Sequence, residues 1–340
     1  MLVANTYSGH RVLFSHHHLF LDLMATTNNI PDLEFEPDVL SSEVLRHRPV
    51  YEGMTFPPAV RIEALKELKT FQIRPDDIFI VTFPKSGTHW VSEIVSLLLA
   101  DGDLERVNRR TTLAHLEFAL IDDVGKDGAR YCYMYKMLQN ADSPRVITSH
   151  LPYRFLPEQL DEKKPKIIYV ARNPKDVFTS WFHFRKRDPR FGNLPWDEYF
   201  NGAISGKYVY GSWFDHVLEY WNKREKGNVL FVKYEDIKMN ARETVVSVAK
   251  HLNLTPSDDV IDRVVHSSSL DEMKKMYQRL KTDNQGPFNN HYGNAYGSNS
   301  FVRKGKVGDW KNHFSVAENE EFDRVFQEKM KDSGLTFAFE

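Results

Sequence analysis

The stretch "TFPKSGTHW" (82–90) sets a lysine, a serine, a glycine and a threonine between an apolar run and an amphipathic one. These residue types suit an anion. A strand that turns through Pro84, Lys85, Ser86, Gly87 and Thr88 into a helix aims backbone N–H groups outward, and the helix dipole adds to their pull. Gly87 admits close approach, Thr88 adds a hydroxyl donor and Lys85 a mobile positive charge. The order is not that of a nucleotide-triphosphate loop, which reads Gly-x-x-x-x-Gly-Lys-Ser/Thr; here the lysine precedes the glycine. On these residues alone an ordinary strand–helix turn with a surface lysine reads as well as an anion site.

Three other places carry candidate chemistry. In "ARNPKDVFTS" (171–180), Arg172 offers a planar fork suited to phosphate, and Ser180 follows eight residues on. "VRKG" (302–305) sets Arg303 and Lys304 beside Gly305, giving side-chain and backbone donors together. His150, before Leu151 and Pro152, has the residue type of a general base near neutral pH. Taken singly, each has a plainer reading: a structural ion pair, a solvated basic face, a core histidine.

The elements that must position these residues are legible as alternating strands and helices. "DDIFIVTF" (76–83), "PRVITSH" (144–150), "PKIIYVAR" (165–172) and "NVLFVKYED" (228–236) are apolar runs of strand length. Helices are expected over "HWVSEIVSLLLA" (89–100), from Asn173 and Pro174 as N-cap and first-turn proline, and over about 241–252, 269–280 and 315–330, the last capped by Ser315. Ile62, Leu65 and Leu68 mark one more. This alternation predicts a single α/β domain with a central parallel sheet flanked by helices. Ligands of such sheets sit beyond the carboxyl ends of the strands, where Lys85, His150, Arg172 and Tyr234 all fall.

The composition sets bounds. Of 340 residues, 41% are hydrophobic and 27% charged, with a net charge of −2, so no global field favours nucleic acid or an acidic membrane. Cys132 is the one cysteine, which fits a reducing, cytoplasmic setting. No stretch has the length and apolarity of a membrane span. Residues 1–50 lack periodicity and read as an extension before a domain at 51–340; His16, His17 and His18 read as part of a solvated tail, and Met24 is an alternative start.

Together, "TFPKSGTHW", "TSHLP" (148–152), "ARNPKDVFTS", "VKYED" (232–236) and "VRKGKVGDWKNHF" (302–314) resemble the motif set of the cytosolic sulfotransferases of the sulfotransferase 1 type, in that family's order and over roughly residues 50–335. The resemblance implies a P-loop-kinase-like fold and a donor, 3′-phosphoadenosine 5′-phosphosulfate (PAPS), leaving adenosine 3′,5′-bisphosphate (PAP) as product, with no metal. It implies that Lys85, Ser86, Gly87, Thr88 and His89 hold the 5′-phosphate, with Lys85 also at the bridging oxygen. Trp90 and Tyr234 are implied as adenine contacts, with Ser268 and Leu270 near the base. Arg172, Ser180, Arg303, Lys304 and Gly305 match the 3′-phosphate contacts. His150 matches the catalytic base, aided by Lys85 and Ser180, with Thr148 and Phe184 on the acceptor side near a loop at 284–300. The implied reaction is sulfuryl transfer to the hydroxyl or amine of a small phenol, alcohol, steroid or amine. Three positions depart from the family pattern: His89 stands for a frequent threonine, Thr148 for the lysine of phenol-type relatives, and Leu270 for a frequent aromatic. "KNHFSVAENE" (311–320) resembles the family's short dimer motif, with Ser315 for threonine, and implies a homodimer. An ATP-dependent nucleotide kinase or NTPase, and a non-catalytic PAP-binding protein, are the alternatives.

Overall fold

A computed structural model describes residues 36–37, 48–107, 115–123, 129–186, 194–282 and 304–340. Four strands form the central sheet: β4 (Ile78–Thr82), β7 (Val146–Ser149), β8 (Lys166–Ala171) and β9 (Val229–Lys233). Their order is β7-β4-β8-β9, and every pair is parallel. The register aligns their ends: Val81 faces Ser149, Thr82 faces Val170, and Ala171 faces Lys233. All four chains therefore leave the sheet at one edge.

The apolar runs are continuous because both sheet faces are covered. Phe79, Val81, Ile167, Tyr169 and Ala171 enter one buried cluster, and Ile78, Ile80, Ile168 and Val170 the other. This is the two-residue alternation of a strand. Helices α2 (Thr88–Leu99), α9 (Ala241–His251) and α10 (Asp258–Ser267) feed the second cluster; α5 (Pro174–Arg185), α6 (Trp196–Ile204) and α7 (Trp213–Lys223) feed the first.

The sequence expectations for these strands and for the helices after residues 88, 173, 241, 269 and 315 match the structure to within a few residues. Asn173 caps α5, its side chain accepting from the Asp176 N–H at 2.9 Å. Ser315 and Glu318 form a full capping box on α12 (Val316–Met330). Three features had no counterpart in the periodicity reading. A short helix α8 (Tyr234–Met239) begins at once after β9. Helices α6 and α7 supply much of the aromatic packing. An antiparallel pair, β5 (Ala119–Asp123) with β6 (Ala129–Tyr133), is joined by Glu36–Pro37 (β1), so part of the expected N-terminal extension lies in a sheet. Two further short strands, β2 (Val50–Tyr51) and β3 (Met54–Thr55), form a hairpin. The rest of residues 1–47, the 284–300 loop and Arg303 lie outside the described residues.

Candidate active site

The turn between β4 and α2 is backbone-determined. Lys85 and Gly87 both have positive φ, 71° and 116°. A Cβ on Gly87 would sit 3.0 Å from the Tyr234 ring, so the position needs glycine for conformation and for space. The first turn of α2 carries no acidic residue, which leaves its N–H groups open to an anion. Ser86 is fully buried and its Oγ has no hydrogen-bond partner.

Arg172, at the end of β8, gathers the parts of the anion side. Its Nη1 donates to the Lys85 carbonyl at 3.4 Å and its Nη2 to the Lys306 carbonyl at 3.1 Å; its plane lies 4.4 Å from the Tyr234 ring centre. Its Nε is buried and has no partner. Asp176, one helical turn on and fully buried, accepts from the N–H groups of Gly308 (3.0 Å) and Trp310 (3.1 Å), which ties the basic 304–310 segment to α5. Gly305, at φ 61°, packs so closely on Leu270 that a Cβ would lie 2.8 Å from its methyl carbons. Lys304 ion-pairs with Asp309 at 2.6 Å. Trp90 meets the Tyr234 ring edge-on at 5.2 Å. Ser268 is buried at the end of α10. Lys85 Nζ lies 4.3 Å from the Phe184 ring centre, and half-buried Ser180 shares α5 with Phe184. Arg172 Nη2 also ion-pairs with the buried Asp176 at 3.4 Å, so the structural-pair reading of Arg172 holds in part. Ser86 Oγ and Arg172 Nε nevertheless remain two buried donors without partners, beside a helix N-terminus. That donor set fits a phosphate-bearing ligand.

The β7 side holds the proton chemistry. His150 Nδ1 is 2.9 Å from the Thr82 carbonyl and 3.0 Å from Thr82 Oγ1, which itself bonds Thr88 Oγ1 at 2.7 Å. A carbonyl only accepts, so Nδ1 carries the proton and Nε2 is the basic nitrogen. Burial, reinforced by nearby His115, holds the His150 pKa well below the usual histidine value. His216, from α7, donates through Nε2 to the His150 carbonyl at 3.0 Å and accepts at Nδ1 from Tyr169.

Two residues here escaped the sequence reading. Glu117 is fully buried; it accepts from the His150 N–H (2.9 Å), from Ser149 Oγ (2.9 Å) and from Tyr210 Oη (3.3 Å). Burial outweighs these bonds and pushes its pKa up to about 7. His115 lies 2.8 Å from His150, Nε2 to Nε2, and 2.9 Å from Thr148 Oγ1 through Nδ1. Burial, with His89 nearby, lowers its pKa to about 3. Thr148 is fully buried, so its hydroxyl reaches the site through His115. His89 is bonded to Tyr277 Oη at 2.6 Å, and its pKa is lowered to about 3 by burial, then by Lys85 and His150. No signal in the sequence marked Glu117 or His115: the two share one short segment without periodicity, far from the motifs they adjoin in space.

The model of the sulfotransferase domain matches residues 75–334 of the chain. The chain belongs to the sulfotransferase family. It is 38% identical to dog (Canis lupus familiaris) Sulfotransferase 1B1 over 281 residues, 81% of this chain and 90% of the relative. It is 35% identical to rabbit (Oryctolagus cuniculus) amine sulfotransferase over 282 residues, 83% and 89% of the two chains. Among solved structures it is similar to mouse sulfotransferase SULT7A1 complexed with PAP, with a TM-score of 0.69 and 30% identity over 84% of this chain and 95% of that one. The sulfotransferase is an enzyme of the α/β class expected from its alternating strands and helices. Among its described residues no helix is long and apolar enough to cross a membrane.

Proposed function

We propose that this sulfotransferase moves a sulfuryl group from PAPS to the hydroxyl or amine of a small acceptor, with His150 as the base. One observation carries the reading. A single sheet edge sets two partnerless buried donors, Ser86 Oγ and Arg172 Nε, on the anion side, and a histidine with its basic nitrogen fixed as Nε2 on the other. PAPS supplies the transferable group. Ser86, Gly87, Thr88 and the start of α2 hold its 5′-phosphate; Arg172, Ser180, Lys304, Gly305 and Arg303 take the 3′-phosphate. Trp90, Tyr234, Ser268 and Leu270 flank the base, and His89, bonded to Tyr277, shapes the first turn of α2 beside it. Lys85 neutralises charge on the leaving oxygen, and preorganised charge of this kind does most of the work in related group transfers. His150 Nε2 takes the acceptor proton while Nδ1–H stays on the Thr82 carbonyl. Phe184, beside Lys85, is the apolar contact for the acceptor; Thr148 acts from beneath, through His115.

PAP should raise the melting temperature more than AMP or ATP, since a ligand selective for the native state stabilises it. Labelled PAPS should pass its sulfuryl group to members of a phenol, alcohol, steroid and amine panel. An equal rise with ATP, enlarged by Mg²⁺, would instead support the kinase reading.

Residues 51–340 are read as one sulfotransferase domain, because both buried clusters draw on strands of one sheet. A cytoplasmic location is supported by the single cysteine, Cys132, whose thiol is buried and pushed up to about 12. The 311–320 segment is proposed as a small homodimer contact. Val316, at the start of α12, is 76% exposed and offers an apolar centre for it. Light scattering at micromolar concentration should give a dimer that Val316→Glu converts to monomer; a wild-type monomer sinks this part.

A further inference from the structure

His115 is held beside the base by backbone as well as side chain. It forms a parallel bridge with Thr148, and the Leu116 N–H donates to the Thr148 carbonyl at 2.8 Å. The Phe118 ring lies 4.8 Å from the His115 ring, which is itself buried. The two imidazoles meet edge-on, with centres 4.3 Å apart. Their protons follow from the acceptors at each end. His150 Nδ1 must carry its hydrogen, because Thr82 O cannot donate. The 2.8 Å contact between the Nε2 atoms then needs a hydrogen from His115. His115 Nδ1 is left as an acceptor, for the Thr148 hydroxyl. The result is a directed chain: Thr148 O–H to His115, His115 N–H to His150, His150 N–H to Thr82.

The nitrogen that must receive the acceptor's proton therefore already receives a hydrogen bond. We propose that His115 is a positioning residue that covers the basic nitrogen of His150 and is displaced from it by the acceptor's hydroxyl or amine. This rests on His150 being the base. An acceptor must break the His115–His150 bond before its own O–H or N–H can point at Nε2. Once Nε2 has taken that proton, both rings present N–H, so His115 cannot return until the proton leaves. Covering and uncovering are thus tied to each turnover. The groups that face the pair are Lys85 and His89 from the β4–α2 turn and first helical turn, His216 from α7, Glu117 beneath the His150 backbone, and the Tyr210 ring at 5.7 Å.

Ring ¹⁵N NMR on histidine-labelled protein, with His115→Phe and His115→Gln, tests this. In the wild type, His150 should appear as the Nδ1–H form and His115 as the Nε2–H form. Phenylalanine removes the competing donor, so the acceptor KM should fall about 3–10-fold, the range of one modest hydrogen bond, for small and large acceptors alike. The acid limb of the kcat/KM profile should move at the same time. Glutamine, which can still donate, should restore the wild-type KM and profile. A PAP-induced thermal shift equal to wild type confirms that each variant is folded. The proposal fails if His150 is found with hydrogen on Nε2 instead, if His115→Phe leaves KM and pH profile unchanged, or if glutamine behaves as phenylalanine does. Full turnover by His150→Ala would instead sink the base assignment, while the tautomer chain would still be read by NMR.

Discussion

On the β8 side of the sheet edge, Arg172 binds backbone carbonyls from two separate segments and lies on Tyr234, and Asp176 fastens the second of these segments by two further N–H groups. On the β7 side, His150, His115, His216 and Glu117 sit within one hydrogen-bonded cluster, and burial opposes the charged form of each. The first region is built on the Arg172–Asp176 ion pair and held by backbone contacts. The second is kept neutral, and its hydrogens are distributed by side chains. On the proposed reading, the site grips an anion and accepts a proton a short distance apart because the two tasks use different kinds of order: fixed charge in one, fixed tautomers in the other.

The largest expected effect separates these tasks. His150→Ala should lower transfer roughly 10²-fold or more, the usual scale for losing a positioned base, while PAP binding stays near wild type. Initial rates with labelled donor and a PAP thermal shift measure the two quantities; a large loss of PAP binding would break the division between the sides. Lys85→Met crosses the division. It should reduce transfer and PAPS affinity together, each about 10-fold, in keeping with a charged hydrogen bond of about 1.5–3 kcal/mol. An unchanged PAPS affinity would move Lys85 to the acceptor side alone.

Gly87→Ala probes the backbone half. Positive φ with a Cβ pressed on Tyr234 should cost about 1–2 kcal/mol of stability and weaken PAP binding, without changing the His150 tautomer seen by ¹⁵N NMR. A normal PAP shift in this variant would mean that the turn tolerates a side chain.

The smallest effect is on stability against pH. The folded-state pKa values of His89 and His115, about 3, and of His216, about 4, lie below the unfolded value of about 6.5. These rings stay neutral when folded and gain protons when unfolded. Their contribution is fully present above about pH 6.5 and is lost as pH falls toward the folded values. Glu117, raised to about 7, acts oppositely and loses stabilisation as pH rises from the unfolded range near 4.5 through 7. His150 and His251 are lowered likewise, and Glu219 and Glu235 are raised like Glu117. Five histidines outweigh three carboxyls between about pH 6.5 and 4.5, so the melting temperature should drop by several degrees on acidification. His115→Phe should make the slope shallower. A flat profile would show that the β7 cluster is not neutral as described.

The two regions also differ in how far the sequence disclosed them. Lys85, Gly87, Arg172 and Asn173 belong to short contiguous patterns, because a strand end, a turn and a helix start are local events with local residue preferences. His115 and Glu117 act through contacts 33 to 35 residues distant along the chain. A lone histidine or glutamate in a non-periodic segment carries no such mark. The central sheet was legible for the same reason as the turn, since burial on both faces writes itself as an apolar run. Helices α6 and α7 were not: their aromatic residues pack on several neighbours at once, which blurs a single apolar stripe.

Arg172 has one more consequence. Its Nη atoms bond the carbonyls of Lys85 and Lys306, and Nη2 also lies 3.4 Å from the buried Asp176 carboxylate, so the guanidinium is already met by oxygens of its own chain. If Arg172 takes a phosphate as proposed, that phosphate competes with these oxygens, and the apparent affinity of the pocket is an exchange balance, smaller than the attraction between guanidinium and phosphate taken alone. The same oxygens would compete for Arg172 with a spent nucleotide as it begins to leave.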